Sequence, residues 1–170
     1  MNKGLEMIEA RWLFDLPAEQ IEVLVHPQSI IHSMVQFADG SVKAQLGQPD
    51  MRLPIGYALG LSERVANAYP RLDFTQQTLT FEHPDMERFP NLALAYRALA
   101  LGGTAPCALN AANEIAVEAF LAERLSFRAM SDLIATALES HRPQSDYDLS
   151  LLEAVDTEVR QQCREQIAHL

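Results

Sequence analysis

The chain has 170 residues, enough for one ordinary domain or two small ones. A hydrophobic fraction of 48% supports a buried core and argues against disorder. Lys and Arg total 13 against 23 Asp and Glu, a net charge of −10 that excludes the basic surface needed by nucleic acid or an anionic membrane. A small phosphorylated ligand is still compatible, given a few local donors or a bridging divalent metal. Two cysteines, Cys107 and Cys163, are too few for a disulfide scaffold or a Cys-type zinc site, which points to a reducing compartment. No leader pattern opens the chain, and no apolar run approaches the roughly 20 residues of a membrane span. A cytoplasmic protein is expected.

Residues 2–14 place Leu5, Ile8 and Trp12 at helical spacing, and Pro17 stops that helix. "IEVLV" at 21–25 is short and rich in β-branched residues, which predicts a strand. Asp39-Gly40 then sits between two alternating runs and predicts a hairpin. Val35 and Phe37 on its first strand, and Val42, Ala44 and Leu46 on its second, suggest one buried apolar face. Pro54 suits the first turn of a short helix. Residues 62–88 read as a connecting stretch, with weak strand candidates at "LDF" and "TLTF". Four helices follow, at about 90–101, 106–125, 127–140 and 149–168, with Ser126 and either Asp148 or Ser150 as caps. Their short connections favour a bundle.

Three stretches could carry chemistry. In a helix Glu6 lies four residues from Asn2 and three from Lys3, so the three converge. Together they offer an amide, a compact cation for a phosphate and a hard oxygen for Mg²⁺ or Mn²⁺. By spacing alone, a solvated first turn with a Lys–Glu pair is the plainer description. In "HPQSIIH", Ser29 lacks the strained elbow of a hydrolase nucleophile. On an extended strand His26 and His32 would stand about 20 Å apart, too far to share a metal unless the chain turns at Pro27. A loop entering a strand, with a hydrogen-bonded histidine, explains them equally. In "LNAANEIAVEAFL", Asn110, Asn113 and Glu114 have helical spacing, and the simplest reading is a bundle helix with buried amides tying it to its neighbours.

Taken together, "MNKGLEMIEARWLF", "VHPQSIIHSMVQFADGSVKAQLGQPDMRLPIGYAL" and "LNAANEIAVEAFL" resemble 1-deoxy-D-xylulose 5-phosphate reductoisomerases along essentially the whole chain. One departure is Asn91, where many relatives carry Cys, at a position expected to lie away from the site. The resemblance implies an α+β fold: part of a catalytic domain over 1–60 with a small sheet and hairpin, a connecting segment over 61–88, and a C-terminal four-helix bundle over 89–170. It implies NADPH and Mg²⁺ or Mn²⁺ as cofactors and a phosphorylated sugar as substrate. By motif, Glu6 corresponds to a metal ligand and catalytic group, and Lys3 and Asn2 to substrate contacts, with Lys3 also catalytic. Ser29 and His32 correspond to substrate-pocket residues, His32 again catalytic, and Met51 with Pro49 to an apolar wall beside the nicotinamide. The hairpin corresponds to the sheet through which subunits pair, which implies a homodimer. The family's glycine-rich nucleotide loop and Asp-Ser-Glu-His metal segment are not found in this sequence, so the chain is expected to start partway through the catalytic domain and to be inactive alone. Two other readings remain: a non-enzymatic dimerisation or docking module, and a hydrolase built on Ser29 and His32.

Overall fold

The structure is a computed structural model that describes residues 1–60 and 63–169. In chain order the elements are α1 (Asn2–Phe14), β1 (Ile31–Gln36), β2 (Val42–Leu46), α2 (Arg52–Leu59), α3 (Pro90–Leu101), α4 (Ala105–Leu121), α5 (Phe127–Ser140) and α6 (Leu149–Ala168). This is the expected α+β arrangement. Two compact units result, Leu24–His83 and a discontinuous one made of Met1–Val23 with Pro84–Leu170. Compactness thus groups the chain differently from the segments 1–60, 61–88 and 89–170; residues 61 and 62 lie outside the described part.

In the discontinuous unit, α4 is the central helix and packs against α3, α5 and α6. Its buried face is built from small residues: Ala105, Ala108, Ala112, Ala116 and Ala119 are fully buried beside Leu109. Small side chains let neighbouring helices approach closely, while Ile134, Leu138, Val155 and Cys163 fill the space from α5 and α6. The caps follow local chemistry. Ser126 Oγ accepts the Ala129 N–H at 3.3 Å, and Asp148 Oδ1, rather than Ser150, accepts the Leu151 N–H at 2.8 Å.

The second bundle helix ends at Leu121, four residues short of the expected 125. Glu123 adopts a left-handed conformation (φ 57°). The Arg124 N–H then reaches back to Ala119 O at 2.9 Å and the Glu123 N–H to Phe120 O at 3.0 Å. That pair of bonds is a Schellman motif, which closes a helix where sequence periodicity alone would continue it. The bundle also gains a member: α1 lies along α3, with Gly4, Met7 and Ile8 buried in the same core.

No strand forms at 21–25. Ile21 and Val23 pack against the helical core, and Tyr96 Oη donates to Ile21 O at 3.3 Å. Val25 makes a single isolated antiparallel bridge to Glu82 within the other unit. "LDF" and "TLTF" also form no strands. Asp73 caps a 3₁₀ turn over Phe74–Gln76, and the Thr80 N–H is taken by the Gln28 side chain at 3.2 Å instead of by a strand neighbour.

The hairpin forms, but its register differs from the one that would gather the apolar residues on one face. A two-residue Asp39-Gly40 loop would set Val35 opposite Ala44. The observed loop has three residues: the Phe37 N–H bonds Ser41 O at 2.8 Å and the Gly40 N–H bonds Phe37 O at 2.9 Å, with Gly40 at φ 82°. This is a type I turn closed by a glycine bulge. Val35 therefore opposes Lys43 and Met34 opposes Ala44. A one-residue slip moves every side chain to the other face. The apolar residues are divided between the faces, and Met34, Val35, Phe37 and Val42 are all exposed in this chain. Lys43 Nζ lies 5.6 Å from the Phe37 ring. Among the described residues, no helix is long and apolar enough to cross a membrane.

Candidate functional site

The first turns of α1 bring together the three residues expected to converge. Asn2 Nδ2 donates to Glu6 Oε1 and Lys3 Nζ to Glu6 Oε2, each at 2.7 Å. Helical geometry makes this possible, because positions three and four apart share a face. The opposite face carries Gly4, Met7 and Ile8, all buried, so the polar trio is turned outward on a helix whose back is fixed. The Lys3 and Glu6 side chains keep 61% and 47% of their surface exposed, enough to meet a ligand. The first turn of α1 holds no acidic residue and no side-chain cap. Its positive dipole end and the Lys3 ammonium therefore both favour an anion.

Glu6 suits a hard divalent cation, which prefers carboxylate oxygen. Among the described residues, no three His, Cys, Asp or Glu side chains cluster closely enough to hold a metal ion. Glu6 therefore fits as one ligand of a site rather than as the site itself. Asn91, expected to lie away from these residues, packs under the helix that carries them. Its backbone carbonyl oxygen is 3.7 Å from where a Cβ on Gly4 would stand, and its Oδ1 is buried with no hydrogen-bond partner among the described residues.

The other expected residues belong to the Leu24–His83 unit. Ser29 sits at φ 53° in a tight turn after Pro27, its N–H bonded to His26 O at 3.0 Å. His32 falls where the β1–β2 register shifts, between Ile31 and Ser33. Such a bulge commonly re-aims a side chain next to a functional site. Both residues are exposed, and among the described residues no hydrogen bond joins them, so no Ser–His nucleophile pair is assembled. His26 is structural: its Nδ1 donates to Thr80 O at 2.8 Å and its ring stacks on Phe81 at 4.7 Å. Pro49 and Met51 are exposed on either side of Asp50, and Met51 keeps 71% of its surface. Between them Asp50 binds Arg52 at 2.6 Å, which holds the Asp50 carboxyl below the usual carboxylate range. The Arg52 guanidinium stacks 4.4 Å from the Tyr69 ring centre. A salt-linked, stacked base thus presents Met51 as an open apolar surface.

Asn110 and Glu114 are not buried ties. They form a surface chain in which Asn110 Nδ2 donates to Glu114 Oε1 at 3.2 Å and Arg160 of α6 bonds the other Glu114 oxygen. Arg160 also binds Asp156 at 2.6 Å, and both carboxylates push its already high pKa further up. This network links α4 to α6 and is structural.

Sequence reading misses Gly4. A Cβ built there would stand 2.4 Å from the Cβ of Ala95. The only hint is a glycine in an otherwise good helix sequence, and its partner lies far along the chain.

Comparison with known proteins places these residues in context. The family described as "DXP reductoisomerase C-terminal domain" matches residues 46–162. A 1-deoxy-D-xylulose 5-phosphate reductoisomerase of Porphyromonas gingivalis is 62% identical over 94% of this chain and 42% of its own length. One from Paraburkholderia phytofirmans is 55% identical over 100% of this chain and 43% of its own. The Zymomonas mobilis enzyme, solved in complex with NADPH, superposes with a TM-score of 0.92 at 46% identity, over 99% of this chain and 45% of that one. A DOX-P reductoisomerase solved with NADPH, fosmidomycin and magnesium gives 0.91 at 42% identity, over 98% of this chain and 43% of that one. The chain thus spans less than half the length of the relatives it matches. With these identities and a family match across most of its length, the chain belongs to the 1-deoxy-D-xylulose 5-phosphate reductoisomerase family.

Proposed function

We propose that this chain forms the C-terminal portion of an NADPH-dependent reductoisomerase. The reaction converts 1-deoxy-D-xylulose 5-phosphate to 2-C-methyl-D-erythritol 4-phosphate in isoprenoid biosynthesis, and the enzyme is cytoplasmic and homodimeric. The observation that carries this reading is the outward convergence of Lys3 and Asn2 on the two oxygens of Glu6, on a helix anchored from behind. In a full-length chain, Glu6 supplies one oxygen ligand to Mg²⁺ or Mn²⁺, which when bound polarises the substrate's oxygens as a Lewis acid. Lys3 offers its ammonium to the substrate phosphate, and Asn2 hydrogen-bonds the phosphate or a hydroxyl. Ser29 and His32 line the substrate pocket, where His32 orients a substrate oxygen. Met51 and Pro49 give the nicotinamide of NADPH an apolar surface that excludes water. Residues 1–60 are the catalytic part, 61–88 the connection and 89–170 the bundle domain. The exposed apolar residues of the hairpin support subunit pairing.

The test is steady-state kinetics on a full-length enzyme that joins this chain to the N-terminal portion of a relative. Glu6→Gln should lower kcat by about 100-fold or more, as expected for loss of a transition-state electrostatic contact. Lys3→Ala should chiefly raise KM for the phosphorylated substrate. Unchanged kinetics in Glu6→Gln would refute the assignment. The 170-residue chain alone should not turn over, because Glu6 lacks partner ligands among the described residues; turnover by it would overturn that expectation.

A further inference from the structure

We propose that the contact between Gly4 and Ala95 is a positioning device: the missing side chain at Gly4 sets how closely α1 approaches α3, and so where Asn2, Lys3 and Glu6 stand. The inference rests on the function proposed for those three residues.

Gly4 is buried in the α1–α3 seam, and Ala95 is fully buried opposite it. Glycine is the poorest helix former after proline, so its place inside α1 needs a physical reason. The backbone supplies one. A Cβ on Gly4 would stand 2.4 Å from Ala95 Cβ, where non-bonded carbons rest about 3.5–4.0 Å apart. A single added methyl therefore requires a movement of about 1 Å or more. Neither side can yield by turning a side chain, because a Cβ is fixed to its backbone. Met7 and Ile8 hold the next turn of α1 in the core. The displacement is therefore concentrated in the first turn, where Lys3 and Glu6 flank Gly4 and bond one another at 2.7 Å. Misplacing reacting or binding groups by about 1 Å can lower a rate about 100-fold. Gly4 and Ala95 touch no ligand in this argument and act through the trio.

The experiment uses the full-length enzyme described above and reads two quantities, kcat and Mn²⁺ affinity from the loss of the free-ion EPR signal. Glu6→Gln is the control for the underlying reading; if it leaves Mn²⁺ affinity unchanged, the metal assignment fails whatever the seam does. Gly4→Ala should lower kcat about 10- to 100-fold and weaken Mn²⁺ binding, with helical circular dichroism retained. Adding Ala95→Gly removes the opposing methyl and should return both quantities to within about threefold of the parent, since contacting sites are strongly non-additive. A Gly4→Ala enzyme with parental kcat and Mn²⁺ affinity would overturn the proposal. So would a loss that Ala95→Gly does not repair. If Gly4→Ala fails to fold, the double variant decides alone: folded and active supports the device, and folded but impaired, or unfolded, overturns it.

Discussion

Three residues outside the candidate site show how much a single side chain can decide. Glu123 closes α4 in a left-handed conformation that costs an L-residue about 1–2 kcal/mol and glycine almost nothing. Glu123→Gly should therefore stabilise the protein by about 1 kcal/mol, read as a higher urea midpoint with unchanged slope. Arg124 pairs with Glu118 at 3.7 Å rather than with Glu123, so the substitution breaks no ion pair. Thr104 is fully buried, and its Oγ accepts the Gln144 N–H at 3.2 Å and meets His141 Nε2 at 2.8 Å. The hydroxyl and the neutral imidazole share that hydrogen bond while the amide occupies another of the hydroxyl's sites. Burial pushes the His141 pKa below its ordinary 6.5, with Glu158 pulling the other way. The unfolded chain then binds the proton more readily than the folded one. This part of the stability is complete above about pH 6.5 and is lost as pH falls through the lower folded value. Urea midpoints measured from pH 7.5 to pH 5 should fall in the parent protein and fall less in His141→Gln.

At the scale of elements, helices were legible and strand register was not. The bundle helices announce themselves through apolar periodicity, prolines at helix starts and the caps Ser126 and Asp148. The end of α4 is hidden because Glu123 carries no glycine-like signal. The hairpin was visible at Asp39-Gly40, but dipeptide chemistry does not choose between a two- and a three-residue loop, and that choice settles which faces are apolar. "IEVLV" has the composition of a strand and becomes part of a helical core, because what packs against Ile21 and Val23 comes from distant sequence. The convergence of the trio on α1 is legible from local spacing, which by itself describes a solvated first turn; the seam behind it is not legible, because Ala95 could not be paired with Gly4 by any pattern. The alanine face of α4 packs the helical core. Replacing Ala112 by Leu should overpack the core around α4 and destabilise by about 1–3 kcal/mol, seen as a lower thermal midpoint.

At the scale of the whole molecule, one compact unit is assembled from two separated stretches of chain, and the Leu24–His83 unit is interposed between them. Gly4 and Ala95, which touch across the α1–α3 seam, are about 90 residues apart. The consequence is one of timing. At roughly 5–20 residues per second, α1 leaves the ribosome some 5–20 s before α3 exists to receive it. Through that interval Met7 and Ile8 have no core to enter, and the helix that bears Asn2, Lys3 and Glu6 waits for a partner made later. The residues of α1 are thus made well before the partner that sets them in place, and a chaperone that shields their apolar side during synthesis would act on α1 through that interval.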